Sequence, residues 1–351
     1  MRRLFGWTIV LLLLSVSTTS FAVRVHSIYQ DEVPVATQSK SDKLKAEQDA
    51  LADVFVKVSG NSHVLDSNPN LKANLTRADT FVQEFSYTSP TDAPKATPYT
   101  LFVRFDADAI NRLLREAGTP TWGQNRPLIL VWLALQNAGQ TSADIVDSTT
   151  DTEKILRQSA KQRGLPMIFP MMDVTDMSLV SVSDITSKSV TNLQQASQRY
   201  ASNALLIGNI TQGKTEIKSH WQLVLGTDSW SWDVSGKTMA EVFSSIVDNA
   251  ADALAKRYST VTSAAIQSEL TLNISGVKQH ADLLALMKYL QRLTPVSDVQ
   301  LRSVSGSDIV LDLNLRGSRE SFIQAASISK NLLPVSAANL ADGSLEYKWI
   351  P

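Results

Sequence analysis

A run of nine residues in mid-chain, PLILVWLAL (127–135), constrains the fold more than any other stretch of this sequence. Successive side chains of a strand point to opposite faces, so a strand that is apolar at every position has both faces covered. The run therefore predicts a β-strand buried between layers, in a mixed sheet packed with helices.

The same strand is a candidate for the first strand of a nucleotide-binding unit. Such a unit needs glycines directly after the strand, so that the backbone can approach a pyrophosphate at a helix N-terminus. The loop that follows here, QNAGQTSADIVDSTT, has one glycine, and neither the G-x-G-x-x-G pattern nor the phosphate-loop lysine pattern occurs in it. We predict that no nucleotide cofactor binds at this loop.

The segment before the strand, TPTWGQNRP, is predicted to be a stiff linker because two prolines bracket a Trp-Gly pair. Its candidate interaction or domain-hinge residues are Trp122, Gly123, Arg126 and Pro127. Packed between two domains, these residues would fix the relative angle of the domains. Exposed, the tryptophan and the arginine would anchor a partner. We favour the structural role, because a connection between domains needs this chemistry whether or not a partner exists.

The remaining patterns predict an α+β protein of three small domains. The linker (119–126) separates an N-terminal α+β domain (23–118) from a middle α/β domain (127–260). The last domain (268–351) has the order β-α-β-β-α-β, which is typical of a ferredoxin-like split βαβ unit with helices on one face. Helix starts are indicated by capping-box pairs, in which a threonine precedes an acidic residue by three positions. These pairs are Thr76 with Asp79, Thr150 with Glu153, and Thr238 with Glu241.

The segment from Met1 to Ala22 has the three parts of a secretory signal peptide: Arg2 and Arg3, the apolar run WTIVLLLLSV, and the small polar stretch STTSFA. We predict cleavage after Ala22 and a location in the periplasm. No cysteine follows the cleavage point, which excludes a lipid anchor there, so we expect no stable membrane insertion after signal removal. The chain has a formal charge of −1 and no Lys/Arg block, which argues against nucleic acid as a partner.

No residue pattern identifies a catalytic, cofactor or metal site. The four histidines lie far apart in the sequence, and none has a second histidine three or four residues away, as paired metal ligands on a helix require. No G-x-S-x-G nucleophile elbow occurs either. We therefore expect no catalytic residues, no cofactor and no bound metal, and we do not expect an enzyme.

Asp173 and Asp176 form the candidate crevice of the middle domain. They follow the apolar run LPMIFPMM, which predicts a buried strand, and open α/β sheets place ligand crevices at the ends of such strands. One of the two carboxyl groups could act as a general acid or base if its neighbour raised its pKa. The alternative is turn formation and helix capping, which is the usual use of aspartate in such loops and is the interpretation we favour.

Three tryptophans form a second candidate interaction site. Trp230 and Trp232 are two residues apart on a predicted strand and so share one face, and Trp221 lies on the neighbouring strand. Tryptophan is enriched at interaction hot spots because it buries a large rigid area. It is also ordinary packing material for a sheet, and we favour packing.

Four segments together resemble a family of exported Gram-negative proteins catalogued as domain of unknown function 2066 (DUF2066). They are DALADVFVKVSGN, LFVRFDADAINRLLREAGTPTWGQNRPLILVWLA, RGLPMIFPMMD and YASNALLIGNI. The family has no established activity, so this resemblance implies no reaction. The middle domain is also similar in pattern to the amino-terminal domain of the Tol translocation protein (TolB), to penicillin-binding-protein activator lipoproteins and to periplasmic flagellar ring proteins. That similarity implies protein contacts in envelope assemblies without a catalytic site.

These observations together predict a non-catalytic periplasmic adaptor or assembly factor, whose partners are unidentified proteins of the cell envelope. Export, small α+β domains and the absence of a catalytic motif all point to this function. The alternative is a periplasmic protein that binds a small ligand, or an undetected hydrolase, with its site near Asp173. A deep apolar pocket with convergent polar groups favours the alternative, and a flatter exposed patch favours the adaptor.

Overall fold

The structure is a computed structural model, and the sequence is described over most of its length. The described residues are 23–25, 28–91, 94–187, 189–259, 267–328, 331–335 and 344–350. The predicted signal peptide (residues 1–22) lies outside them. Within these ranges, no helix combines the length and the apolar character that crossing a bilayer requires.

The N-terminal region is a three-stranded antiparallel sheet covered by one long helix. Its elements are β1 (Val23–Arg24), β2 (Gln30–Val35), α1 (Lys40–Ser59), α2 (Val64–Ser67), α3 (Pro69–Asn74), β3 (Val82–Thr88), β4 (Tyr99–Phe105) and α4 (Ala107–Glu116). The strand order is β2-β4-β3. Helix α1 begins at the cap Ser39, ends at Gly60 (φ 73°), and packs its apolar stripe of Leu51, Val54 and Phe55 into the core of this region.

The capping pair Thr76 and Asp79 does not start an α-helix. The Thr76 hydroxyl donates a hydrogen bond back to the carbonyl oxygen of Ala73, so it does not cap the turn that follows. Residues Leu75–Phe81 form a 3₁₀ helix without a side-chain cap, and two short helices precede it. The Thr76 side chain that makes this backward bond accepts no hydrogen bond from the backbone N–H of Asp79, which the prediction required.

The middle region is a mixed sheet with helices on both faces. Its elements are β5 (Asn125–Arg126), β6 (Ile129–Gln136), β7 (Asp144–Ile145), α5 (Asp151–Arg163), β8 (Met167–Ile168), α6 (Val174–Leu179), α7 (Val182–Thr186), α8 (Val190–Ser197), β9 (Ala204–Gln212), β10 (Ile217–Leu225), β11 (Asp228–Gly236) and α9 (Met239–Tyr258). The strand order is β11-β10-β9-β6-β7, and β8 also pairs with β6. Strand β6 runs parallel to β9 and β8 and antiparallel to β7.

Strand β6 is buried on both faces, as its sequence predicts. Ile129, Val131 and Leu133 pack with helices α5 and α9, whereas the alternate residues Leu130 and Trp132 pack with α7 and α8. The predicted caps Thr150 and Thr238 accept hydrogen bonds from the backbone three residues on, and so start α5 and α9.

The C-terminal region is a five-stranded sheet whose helices both pack in one core. Its elements are β12 (Gln267–Ser275), α10 (His280–Gln291), β13 (Val296–Ser305), β14 (Asp308–Arg316), α11 (Arg319–Ser327), β15 (Leu332–Pro334) and β16 (Ser344–Trp349). The strand order is β13-β14-β12-β16-β15. Strand β14 alternates buried Ile309, Leu311 and Leu313 with more exposed residues, so one face of the sheet contacts water.

The end of this sheet differs from the ferredoxin-like order that the sequence predicts. A short strand, β15, precedes the closing strand β16, and the two are antiparallel. The extra reversal makes β16 run parallel to β12, whereas a single strand after α11 would return antiparallel to β12. No pattern in the sequence predicts β15, because it has only three residues, one of which is proline. The α+β class is confirmed, and the predicted topology of this sheet is corrected.

Candidate functional site

The candidate crevice pair, Asp173 and Asp176, lies at the start of the short helix α6. Asp173 is the N-cap of α6, and its carboxylate accepts a hydrogen bond of 3.0 Å from the backbone N–H of Asp176. The two aspartates are therefore brought together, and the capping interpretation of Asp173 describes this contact.

Arg199, from a distant part of the chain, forms ion pairs with both aspartates. Its guanidinium binds both carboxylate oxygens of Asp173 at 2.7 Å and reaches Asp176 at 3.2 Å. The bidentate geometry is the strong form of an arginine–carboxylate contact. The hydrogen bond from Arg199, together with its positive charge, lowers the pKa of Asp173 to about 2. A carboxylate with so low a pKa is a weak general base near neutral pH.

The carboxylate of Asp176 is fully buried, and a tyrosine satisfies it. The Tyr200 hydroxyl donates a short hydrogen bond to Asp176, and the backbone N–H of Met172 donates another of 3.0 Å. The same hydroxyl accepts a hydrogen bond from the backbone N–H of Met171 at 2.9 Å. Burial, followed by the bond to Asp176, raises the pKa of Tyr200 to about 12. The phenol therefore stays protonated at neutral pH and acts as a fixed donor.

The hydrogen-bond network of Asp173, Asp176, Arg199 and Tyr200 holds a strained turn. Met172 has φ 51°, in the left-handed region that costs a non-glycine residue roughly 1–2 kcal/mol. Asp176 accepts the N–H of this residue, so the network stabilises the conformation that the backbone alone disfavours. Strain of this kind persists only where the surroundings over-determine it, and it occurs often at functional positions.

The strained turn carries an exposed apolar patch, which we define as Met171, Val174 and Met177. These side chains are 65%, 79% and 60% exposed. They are three of the eleven large apolar side chains that are exposed in the described part of the chain, and Val174 and Met177 share one face of α6 because they are three residues apart. Single exposed apolar residues are ordinary, whereas a cluster marks a contact surface. The apolar patch is thus the strongest candidate for an interaction site.

The linker candidates lie in the interior. Trp122 and Arg126 are buried, and the guanidinium of Arg126 stacks on the Trp122 ring with its carbon 4.1 Å from the ring centroid. Pro127 is buried next to them. A Cβ on Gly123 would lie 1.9 Å from the hydroxyl of Thr294, so the C-terminal region packs directly on this glycine. These side chains hold regions together and are not displayed to a partner.

Arg126 uses all five of its N–H groups on backbone carbonyl oxygens, at 2.5 to 3.3 Å. The acceptors belong to Lys57, Trp122, Gly123, Arg163 and Gly164. Three of them are at the C-terminal ends of α1 and α5, where the helix dipole favours a positive charge. Burial, with a smaller effect of Arg163, lowers the pKa of Arg126 to about 9, so the side chain remains protonated at neutral pH.

A second arginine joins the same regions. Arg163 donates to Asp248 and Asp252 of helix α9 at 2.5 and 2.7 Å, and to the carbonyl oxygen of Gly60 at 2.9 Å. Asp252 also accepts from the hydroxyl of Ser62 at 2.6 Å. The N-terminal and middle regions are therefore joined by the ion pairs and hydrogen bonds of the buried Arg163, as well as by apolar contact.

The three candidate tryptophans share one face of the sheet. Trp221 lies directly opposite Trp232 across strands β10 and β11, and Trp230 lies opposite Leu223. Trp221 is fully buried beneath Gly208, whose added Cβ would lie 2.3 Å from the indole ring. Trp230 and Trp232 are partly buried against the core of the middle region. These contacts are those of sheet packing.

The described residues contain no group of three or more His, Cys, Asp or Glu side chains that could hold a metal ion. Arg199 and Tyr200 are the site residues that sequence reasoning missed. Both follow the aspartates at a long distance along the chain, and no local pattern connects the two segments.

A further carboxyl pair, Asp53 and Asp31, lies in the groove between α1 and α5. Burial, then a hydrogen bond and repulsion from Asp31, raise the pKa of Asp53 to about 7, against the opposite effect of Lys57. The folded state therefore binds a proton that the unfolded state releases near pH 4. The contribution of this proton to the free energy of unfolding is fully present below pH 4 and is lost as the pH rises through 7.

We predict that Asp53→Asn removes this pH dependence. Asp53 is exposed at the edge of the groove, and solvent screens the effect, so we expect about 1 kcal/mol. Urea unfolding of the wild type should show this loss of stability between pH 4 and pH 8, and the variant should not. Asp144→Asn, at an exposed position without a described side-chain partner, is the control. Identical pH profiles for the wild type and Asp53→Asn would contradict the assignment.

Comparison with protein families corrects the predicted family. The model that matches is Domain of unknown function (DUF8605), over residues 22–123, and not DUF2066. The match covers the N-terminal region and most of the linker. No curated protein matches the chain.

Two solved structures are similar to parts of the chain. The LpoB C-terminal domain from Salmonella enterica is 10% identical, with a TM-score of 0.21, over 32% of this chain and 83% of that one. A crystal structure of an uncharacterized protein is 8% identical, with a TM-score of 0.18, over 37% of this chain and 90% of that one. At these scores, neither structure bears on the fold or the function of this chain.

Proposed function

We propose that this protein is a non-catalytic adaptor or assembly factor of the cell envelope, and that it binds a protein partner through the apolar patch. The observation that carries the proposal is the exposure of Met171, Val174 and Met177 on a turn that hydrogen bonds to the buried Asp176 hold in a strained conformation. A turn that served only to connect β8 to α6 would need neither the strain nor the exposed apolar surface.

The chemistry of the patch suits a protein surface. Methionine is flexible and polarizable, so it adapts to irregular apolar partners. Interface cores are depleted of charge and enriched in methionine. Arg199 and Asp173, each more than a third exposed, provide a polar rim beside the patch. The expected partner therefore has an apolar surface flanked by polar groups.

The network also gives the patch a fixed shape before binding. Asp176 bonds the backbone of the turn, and Arg199 bonds both aspartates, so little conformational entropy remains to be lost when a partner binds. Such preorganisation raises affinity without added area. The absence of catalysis is part of the proposal and is supported by the engagement of both carboxylates with Arg199.

The location in the periplasm is part of the proposal as well. It is supported by the charged, apolar and small-residue parts of the segment from Met1 to Ala22. Cell fractionation followed by N-terminal sequencing tests it. A periplasmic protein that begins at Val23 is the expected result, and a cytoplasmic protein that retains Met1 would contradict export.

The proposal is tested with a double variant, Val174→Asp with Met177→Asp. Two charges on the patch should abolish partner binding, because an interface core does not accommodate unpaired carboxylates. We expect affinity purification of the full chain from cells to recover at least ten times less of the partner. The matched control is Leu301→Asp with Val304→Asp, which places two charges on exposed apolar positions of β13. Equal recovery with the patch variant and with the control would contradict the proposal.

A further inference from the structure

A cleft of about 280 Å³ lies between the N-terminal and C-terminal regions, next to the linker. Its walls come from helix α4, from the linker around Gly123, from the end of α10 and from the end of β14. It is distant in the chain from the apolar patch, and the two share no residue.

Three arginines line this cleft, one from each of three elements. Arg115 lies in the last turn of α4, Arg292 directly follows α10, and Arg316 ends β14. No aspartate or glutamate is among the described residues that line the cleft. Within the described ranges, none of the three side chains makes an ion pair or a side-chain hydrogen bond. In contrast, the guanidinium groups of three other arginines donate hydrogen bonds to carbonyl or carboxylate oxygens. These arginines are Arg126, Arg163 and Arg199.

The three arginines are exposed, so water screens their mutual repulsion, but they place three positive charges around one small cleft. The ends of α4 and α10 offer a partial explanation, because helix C-termini attract positive charge. That explanation does not extend to Arg316, which ends a strand. A cleft lined by charges of one sign raises the local concentration of the opposite ion.

We propose that the cleft binds a phosphate-type oxyanion, either free or as a group of a larger molecule. A guanidinium presents its N–H groups as a planar fork that matches two oxygens of such an anion, and three forks can surround it. Thr294 and Gln291 also line the cleft and add uncharged hydrogen-bonding groups. The volume suits one or two phosphate groups and lies below the range of about 300–1,000 Å³ that is usual for drug-sized ligands.

A bound anion would connect two regions. Arg115 belongs to the N-terminal region, whereas Arg292 and Arg316 belong to the C-terminal region. An anion between them would attract positive charge from both regions. This inference goes beyond the proposed function and does not depend on it, because the cleft and the apolar patch share no residue.

The test is isothermal titration of the mature chain, which begins at Val23, with inorganic pyrophosphate as the probe and chloride matching the ionic strength. We expect saturable binding, and we expect Arg292→Gln with Arg316→Gln to weaken it at least tenfold, since hydrogen bonds to charged groups are the strong ones. The matched control is Arg112→Gln with Lys288→Gln, which removes two exposed charges from α4 and α10 outside the cleft. The control should bind pyrophosphate as the wild type does.

A second arm identifies the source of the phosphate. Co-sedimentation with vesicles of phosphatidylglycerol and phosphatidylethanolamine that is lost in the cleft variant would place the anion on a lipid. Binding of pyrophosphate alone would identify a free anion. The proposal is overturned if neither probe binds the wild type, or if the cleft variant and the control lose binding equally.

Discussion

Replacement of Arg126 by methionine is expected to lower the free energy of unfolding by about 3–5 kcal/mol, among the largest effects of any single substitution. The variant keeps an unbranched stem but removes the guanidinium group, which leaves five carbonyl oxygens without this donor. Each unsatisfied buried group costs about 1–3 kcal/mol, and relaxation of the linker recovers part of the sum. Arg126→Lys should also be destabilising, because an ammonium cannot reproduce the five-donor fork.

Urea unfolding followed by circular dichroism measures this effect. Arg302→Met is the control, because Arg302 is exposed and its described ion-pair partner is Asp312. The control should leave the unfolding midpoint close to that of the wild type. An unfolding midpoint of Arg126→Met close to that of the wild type would show that the contact between the N-terminal and middle regions does not depend on the guanidinium.

Replacement of Asp176 by leucine is expected to release the turn that carries the apolar patch, at a cost of about 3 kcal/mol. The substitution leaves the Tyr200 hydroxyl and the Met172 N–H without their acceptor, and breaking a buried charged contact costs about 3–5 kcal/mol. The strained conformation of Met172 then loses its support. We expect hydrogen exchange in residues 171–180 to accelerate at least tenfold, while strands β6 and β9 stay protected.

The control for this prediction is Asp151→Asn, which removes an exposed carboxylate whose described ion-pair partner is Lys154. It should leave both the unfolding midpoint and the exchange rates unchanged. Unchanged exchange over residues 171–180 in Asp176→Leu would contradict the role assigned to the network.

Features that depend on neighbouring residues could be predicted from the sequence. The caps Thr150 and Thr238, the doubly buried strand β6 and the α+β class all follow from spacing within a few residues. Thr76 has the same spacing as the other two caps, yet it bonds backwards to Ala73. Sequence spacing shows which hydrogen bond is possible. The packing of the surrounding chain determines which hydrogen bond forms.

Features that depend on distant segments could not be predicted. The sequence singles out Asp173, Asp176, Trp122 and Arg126 as unusual, but the groups that they contact are elsewhere in the chain. Arg199 meets Asp173 across 26 positions, and Arg126 reaches Lys57 across 69. The acceptors of Arg126 are backbone carbonyl oxygens, which leave no signature in the sequence. The predicted direction of β16 was wrong for a related reason. The strand before it, β15, has only three residues, which is too short to show a periodicity.

Photo-crosslinking in living cells tests the central claim most directly, with a crosslinking residue in place of Met177 at the centre of the apolar patch. Lys256, exposed on helix α9, is the control position. We predict that position 177 captures one discrete envelope protein, that position 256 does not, and that Val174→Asp abolishes the capture. An exported, folded protein that captures nothing from position 177, or captures the same proteins from both positions, would contradict the claim that the patch binds a partner.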